Sequence, residues 1–207
     1  ELNDVKKNVF GDISEGLKYT WNNRLVFLLL VSGLTSALLA MPFRMQVPVF
    51  TRRLYDIDAA EIGWLMVAMG VGGLIAAVIT ANLRKGHRRG PILLIVGIGG
   101  SGIGMLLLAI SQNYVIGLTV MIVIGFAGAI RMTLGQSLTI EATDDAFRAR
   151  VMSLNMMTYG LMPLGALPMG YAIDHLGAQN TLFIVGLTLI AATIILMLGS
   201  STIRRVS

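Results

Sequence analysis

From Gly90 to Ile130 the chain runs for 41 residues without a charged side chain. A membrane-spanning helix needs about 20 mostly apolar residues, because the hydrocarbon core is about 30 Å thick and each helical residue rises about 1.5 Å. The run is too long for one crossing and fits two, divided at the polar break Ser111-Gln112-Asn113-Tyr114. The same test finds four more spans: Leu25 to Phe43, Ile62 to Leu83, Val151 to Ile173 and Thr181 to Ser201. A turn signal at Gly177-Ala178-Gln179-Asn180 separates the last two. Composition agrees, with 55% hydrophobic and only 13% charged residues, against about 25% charged in a soluble domain. A soluble domain and a disordered chain are excluded. So are a disulfide scaffold, since cysteine is absent, and a collagen-like repeat, since the 24 glycines lack a three-residue period. The expectation is an all-α integral protein of the inner or plasma membrane, with six transmembrane helices and the lipid bilayer as its surroundings.

Basic residues set the expected orientation. With six spans both termini fall on one side, together with Lys6, Lys7, Lys18, Arg24, Arg84, Lys85, Arg88, Arg89, Arg148, Arg150, Arg204 and Arg205. That is 12 of the 16 basic residues, so the positive-inside rule places both termini in the cytoplasm. Arg52 and Arg53 fall outside, and Arg44 and Arg131 lie within apolar stretches. The net charge of +5 follows from this bias. No basic cluster interleaves with stacking aromatics, so no nucleic-acid partner is expected. No signal peptide opens the chain. Leu2, Val5, Val9, Ile13 and Leu17 recur at helical spacing and form an apolar stripe. Residues 1–24 therefore read as a cytoplasmic amphipathic linker, 25–202 as the six-helix bundle and 203–207 as a cytoplasmic tail.

Glycine and proline are unevenly placed. Pro42 and Pro48 lie near the outer end of the first span, and the fifth carries Gly160-Leu161-Met162-Pro163-Leu164-Gly165-Ala166-Leu167-Pro168-Met169-Gly170. Proline removes a backbone donor and bends a helix. At membrane depth the freed carbonyls must face protein or a wet cavity, so these two spans are expected to line an interior. Gly97, Gly99, Gly100, Gly102 and Gly104 mark the third span, with Gly100 and Gly104 in GxxxG spacing that permits close helix packing.

Four segments together resemble the major facilitator superfamily, in particular the carboxyl-terminal half of drug:proton antiporter-like exporters. Glu15-Gly16-Leu17-Lys18-Tyr19, with Trp21 to Arg24, looks like the end of that family's central cytoplasmic loop. Met41 to Phe50, MPFRMQVPVF, looks like its seventh helix. Arg84-Lys85-Gly86-His87-Arg88-Arg89 resembles the basic loop motif G-x-x-x-D-R-x-G-R-R, with Leu83 where the motif has aspartate. Asp144 to Gly170 is similar to the tenth loop and eleventh helix, and is the most specific of the four. The resemblance implies two inverted three-helix repeats, half of a twelve-helix secondary transporter. The partner six-helix half, with most proton-coupling acids, would lie outside this sequence. The chain is accordingly read as a fragment, a separate domain or a truncated product.

A charge at mid-membrane is costly, so Arg44 and Arg131 are singled out. Arg44, with Gln46 nearby, either faces the cavity and attracts an anionic or polar substrate, or snorkels to the outer interface. Arg131, near Gln136, either lines the cavity or pairs with Glu141 or Asp144 in a cytoplasmic latch. The resemblance implies that spans one, two, four and five line the cavity while three and six are peripheral. The substrate-binding candidates become Arg44, Gln46, Met66, Met69, Arg131, Gln136, Asn155, Met156, Tyr159 and Met162. Asn155, Tyr159 and Met162 share a helical face by spacing. Methionines either line a pocket for varied apolar ligands or fill helix contacts. Asp144, Asp145, Arg148 and Arg150 form a mixed cluster. Its Asp144, Arg148 and Arg150 are candidate gating groups, with Arg148 or Arg150 holding the outward-facing state, or the basic pair serves only as topological anchors.

Enzyme chemistry finds little support. His87 and His175 are far apart and no cysteine is present, so no metal-ligand spacing arises. No phosphate-binding loop and no nucleophile–base pair can be argued. No cofactor is expected. The expected function is export of small hydrophobic or amphipathic molecules by proton-coupled alternating access. The rivals are a half-transporter acting as a homodimer and a structural or assembly subunit that moves nothing.

Overall fold

A computed structural model of the chain describes residues 9–83, 89–111 and 113–199. The basic loop at Arg84, Lys85, His87 and Arg88, the start of the linker and the tail 203–207 lie outside the described residues. Everything described is helical or connecting. Five helices are long and apolar enough to cross a bilayer. Their exposed faces carry Trp64, Leu74, Val78, Val115, Ile195 and Leu198, far more apolar surface than a water-soluble monomer presents.

Helix α1 (Val9–Asn22) meets α2 (Arg24–Tyr55) at Asn23. The Asn23 carboxamide accepts hydrogen bonds from the Leu25 and Val26 N–H groups at 3.2 and 3.3 Å and caps α2. The sequence predicts a first span ending near Phe43, yet α2 continues for 32 residues. Two features let it run through its prolines. A π-helical segment, Ser36–Ala40, precedes Pro42, and Met41 N–H bonds Ser36 O across it. Pro42 lacks a donor for the Leu38 carbonyl four residues back. That carbonyl packs against Gly165, where any side chain would collide with it.

Asp56 ends α2 in the left-handed region at φ 51°, a conformation Asp tolerates better than most residues. Asp58 and Glu61 form a capping box at the start of α3 (Ala59–Asn82). Helix α4 (Arg89–Ile110) also contains a π-helical segment, Leu93–Gly99. It ends at the predicted polar break, where Asn113 caps α5 (Tyr114–Glu141) by accepting from Val115 N–H at 2.8 Å.

The predicted fifth span is broken. It consists of α6 (Arg148–Gly160) and α7 (Met162–Leu176), joined at Leu161. Pro163 cannot donate to the Tyr159 carbonyl, so the ladder fails there and Leu161 and Leu164 close tight turns instead. Neither piece alone spans the hydrocarbon, since each is under 20 residues long. Gly177, at φ 82°, then reverses the chain into α8 (Ala178–Gly199), three residues before the predicted start.

Helix α4 is packed more deeply within this chain than the other long apolar helices among the described residues. About 61% of its most apolar stretch is buried, against 28–39% in the other four. Its glycines explain this. A Cβ at Gly97 would come within 2.9 Å of the Arg131 Cβ, and one at Gly102 within 2.8 Å of the Gly186 carbonyl. Gly100 and Gly104 lie against Ala127 and Ile124. With almost no side chain on these faces, α4 wedges between α5 and α8. Helices α3 and α5 meet equally closely, Gly72 against the Ile122 carbonyl and Gly125 against the Met69 carbonyl. The main core fills the space between these helices and α2, α7 and α8 with Phe43, Phe50, Leu65, Ile98, Met121 and Leu189.

Ion pairs tie helix ends. Arg53 bonds Asp174 at 2.7 Å and the Ile173 carbonyl at 2.9 Å, joining the far ends of α2 and α7. Arg89 bonds Glu141 at 3.0 Å and the Leu83 carbonyl at 2.8 Å, clamping the near ends of α4, α5 and α3.

A polar cleft around Arg131

Four elements converge on a cleft at the α1 end of the bundle. Helix α2 supplies Leu29, Ser32 and Gly33, and α4 supplies Leu93. Helix α5 adds Arg131, Met132, Gly135, Gln136 and Thr139, and α6 adds Asn155, Thr158 and Tyr159. Two glycines admit these side chains. Gly97 lets the Arg131 backbone approach α4, and a Cβ at Gly33 would sit 3.5 Å from the Asn155 Oδ1.

Hydrogen bonding sorts the lining residues. Ser32 donates to the Leu29 carbonyl at 2.7 Å, Thr139 to Gly135 at 2.7 Å and Thr158 to Asn155 at 2.6 Å. These hydroxyls are engaged by their own helices. The side chains of Arg131, Gln136, Asn155 and Tyr159 make no hydrogen bond to any described residue. Arg131 is only 8% exposed, and its Nε is buried without a partner. No carboxylate among the described residues pairs with it: Glu141 is held by Arg89, and the Asp144 backbone N–H is turned to the Tyr19 hydroxyl. Arg131 thus lines this cleft and forms no ion pair with Glu141 or Asp144 among the described residues. The volume of this partly open cleft is about 30 Å³. That is room for about two waters, far below the roughly 300 Å³ at which drug-sized pockets begin.

The other candidates are dispersed. Arg44 is exposed on α2 and near enough to Arg131 to act on it electrostatically. Gln46 is engaged across the bundle, donating to the Ala166 carbonyl at 3.0 Å. Met66 is exposed on α3, whereas Met69 lies in the main apolar core. Met156 is exposed beside Asn155, outside the cleft lining. Met162 starts α7 after the break at Leu161 and is not among the residues lining the cleft with Asn155 and Tyr159. His175 stacks on Tyr171 with centroids 4.0 Å apart, and His87 lies outside the described residues. Among the described residues no three His, Cys, Asp or Glu side chains gather as a metal cluster.

Ser32, Gly33, Thr139 and Thr158 escape sequence reasoning. The small pair Ser32-Gly33 in mid-span is the one available signal, by the same close-packing logic that marks the third span.

The candidate gating residues sit beside the cleft. Arg148 pairs with Asp145 three residues earlier. Arg150 bonds Glu15 of α1 at 2.9 Å and lies over the Phe147 ring at 5.7 Å. Tyr19 stacks on Phe147 at 4.4 Å and accepts the Asp144 N–H at 3.1 Å. Helix α1 is thereby docked on the segment that enters α6, with Gly16 against Arg150 and Leu154.

A bundle of bilayer-length helices, a broken helix and a polar cleft at its side define an integral membrane protein of transporter type. The Major Facilitator Superfamily profile matches residues 25–205, and the chain belongs to that family. It is 24% identical over 184 residues to the multidrug efflux pump Tap of Mycolicibacterium fortuitum. The match covers 88% of this chain and 44% of that protein, so the chain spans under half the length of this curated relative. No solved structure matches.

Proposed function

We propose that this chain is the carboxyl-terminal six-helix half of a secondary transporter that exports small hydrophobic or amphipathic molecules by proton-coupled alternating access. In this reading α6 and α7 together make one crossing. The six crossings form two inverted three-helix repeats, residues 25–202 are the bundle and both termini are cytoplasmic. The cleft around Arg131 is one wall of the substrate site, and Arg44, Gln46 and the flanking methionines lie on or near the route. The opposing wall, and the acids that carry protons, belong to an amino-terminal six-helix half. Rocking of the halves would make and break the contacts of Asp144, Arg148 and Arg150.

The observation that carries this reading is the incompleteness of the cleft. The Arg131 Nε is buried without a partner at the edge of a space too small for a drug-sized molecule, which Gln136, Asn155 and Tyr159 also line. Buried polar groups are ordinarily paired, so such a wall calls for another surface or a ligand opposite it. A match that covers under half of an efflux pump supports a second half as that surface.

The test uses cells lacking their own efflux pumps and expressing the reading frame that carries this chain. Lipophilic dyes should accumulate less in these cells than in controls, and a protonophore should abolish the difference. Unchanged accumulation across a broad panel overturns export. Export that survives the protonophore overturns proton coupling.

A further inference from the structure

We infer that the Arg131 cleft is a carboxylate-binding site, so that the molecules handled here include amphiphiles with an anionic head. The inference rests on the transport reading for its purpose, though the site itself follows from charge and geometry.

Among the described residues, the apolar stretches carry positive charge and no carboxylate. Arg131 and Arg44 lie in apolar stretches, and all described Asp and Glu side chains lie at helix ends, in connections or in α1. Four are already taken: Glu15 by Arg150, Glu141 by Arg89, Asp145 by Arg148 and Asp174 by Arg53. Asp58 and Glu61 cap α3 at the opposite end. A buried guanidinium without a counter-ion is costly, and no carboxylate among the described residues pairs with it.

The chemistry around Arg131 selects the counter-ion. Its planar fork suits a two-oxygen acceptor. The Gln136 and Asn155 carboxamides and the Tyr159 hydroxyl add donors that no described residue engages. The space of about 30 Å³ in this partly open cleft holds about two water-sized oxygens, enough for a carboxylate head. Leu29, Leu93 and Met132 line the same cleft, so the remainder of the ligand meets apolar side chains. Arg44 adds to the positive field. A cationic head would face two arginines and no acid.

A carboxylate could come from a small molecule or from an aspartate or glutamate of the opposing half. We assign it to the small molecule, and the test separates the two. The protein is held in nanodiscs of phosphatidylcholine and titrated with three probes of matched shape: 1-naphthoate, 1-naphthamide and 1-naphthylmethylammonium. Naphthoate should bind about tenfold more tightly than naphthamide, as expected for a charge-assisted pair, and the ammonium probe most weakly. R131Q should abolish the preference, and R131K should retain part of it. Should R131Q fold poorly, modification of the wild-type Arg131 by phenylglyoxal, read by mass spectrometry, should be slowed by naphthoate and not by naphthamide.

Equal binding of naphthoate and naphthamide by the wild type overturns the inference, because the guanidinium is then already satisfied by polypeptide. So does a preference that survives R131Q, or modification that naphthoate does not slow. None of these readouts requires flux. An Arg131-dependent preference without dye export would overturn transport alone, and export without that preference would overturn the carboxylate site alone.

Discussion

Two sides of this bundle use helix-breaking residues in opposite ways. On one side, glycine brings α3 against α5 and α4 against α5 and α8, so closely that backbone meets backbone at Gly72, Gly102, Gly125 and Gly186. On the other, proline interrupts α2 and the α6–α7 pair, producing a π-helical segment at Ser36–Ala40 and a break at Leu161. The first side is closely packed. The second holds an apolar cavity of about 370 Å³ between α2, α7 and α8, and the polar cleft lies where α6 meets α2 and α5. Packing between membrane helices gains little from hydrophobicity, since lipid is equally apolar, so close van der Waals fit must hold the bundle. The glycine side supplies that fit. The proline side borders the unpartnered Arg131 Nε, and the proposed alternating access would need such a region to move.

The sharpest way to break the comparison is to place a side chain in the glycine seam. Gly125→Val drives its Cβ into the Met69 carbonyl, and a backbone carbonyl cannot rotate away as a side chain can. Overpacking costs about 1–3 kcal/mol where side chains can shift, so this variant should lose at least about 3 kcal/mol. Thermal unfolding in detergent would show a large fall in midpoint or no folded protein. A midpoint within a few degrees of wild type would mean that the seam is not tightly packed.

The cleft should respond in the opposite direction. Arg131→Met removes a buried charge without a described partner and keeps most of the apolar stem. Relief of that burial should raise stability by about 1–3 kcal/mol, within the roughly 2.5–3.5 kcal/mol scale for a mid-membrane cation. Export should fall in the same variant, the usual exchange of stability for function at a strained site. A destabilised Arg131→Met would show that the guanidinium is paired in the working protein.

The two sides also differ in how legible they are from sequence. The span boundary at Ser111-Gln112-Asn113-Tyr114 was readable because a polar break in an apolar run has no other use, and Asn113 indeed caps α5. Arg131 was readable as a charge out of place. The end of the first span was not, because the effect of Pro42 depends on whether something faces the freed Leu38 carbonyl, and Gly165 lies 127 positions further on in the numbering. The break at Leu161 lies inside a marked Gly/Pro run, but spacing alone does not place it, since the Asn155-Tyr159-Met162 spacing assumes one continuous helix. Ser32 and Thr158 were invisible because hydroxyls bonded to their own helix look the same anywhere in a span. The close packing of α4 is foreshadowed by its glycines, although spacing alone does not name the helices they meet.

Between the extremes lies the dock of α1. Tyr19→Phe keeps the stack on Phe147 but removes the acceptor for the Asp144 N–H. The cost should be about 0.5–1.5 kcal/mol, the net worth of one hydrogen bond. Glu15→Gln, at a half-exposed pair, should cost about 1 kcal/mol or less, and less again in high salt. Both are best read as faster proteolysis between α1 and α2 with little change in the unfolding midpoint. A fall in the global midpoint as large as that of Gly125→Val would show that α1 is part of the core rather than docked upon it.

The smallest effect gives the finest test, because it changes only position. Gly128 lies three residues beyond Gly125 on the same helix, and a Cβ there would meet nothing within 4 Å. Glycine inside a helix costs about 0.5–1 kcal/mol relative to alanine. Gly128→Ala should therefore stabilise the protein by about that amount, where Gly125→Val unfolds it. A gain in midpoint with full export would mean that this face of α5 meets only lipid or open space. A gain in midpoint with lost export would mean that another segment closes on Gly128 during the transport cycle. A loss in midpoint would mean that a neighbouring surface already occupies that space, and the contrast between the glycine seam and the rest of α5 would then be a matter of degree.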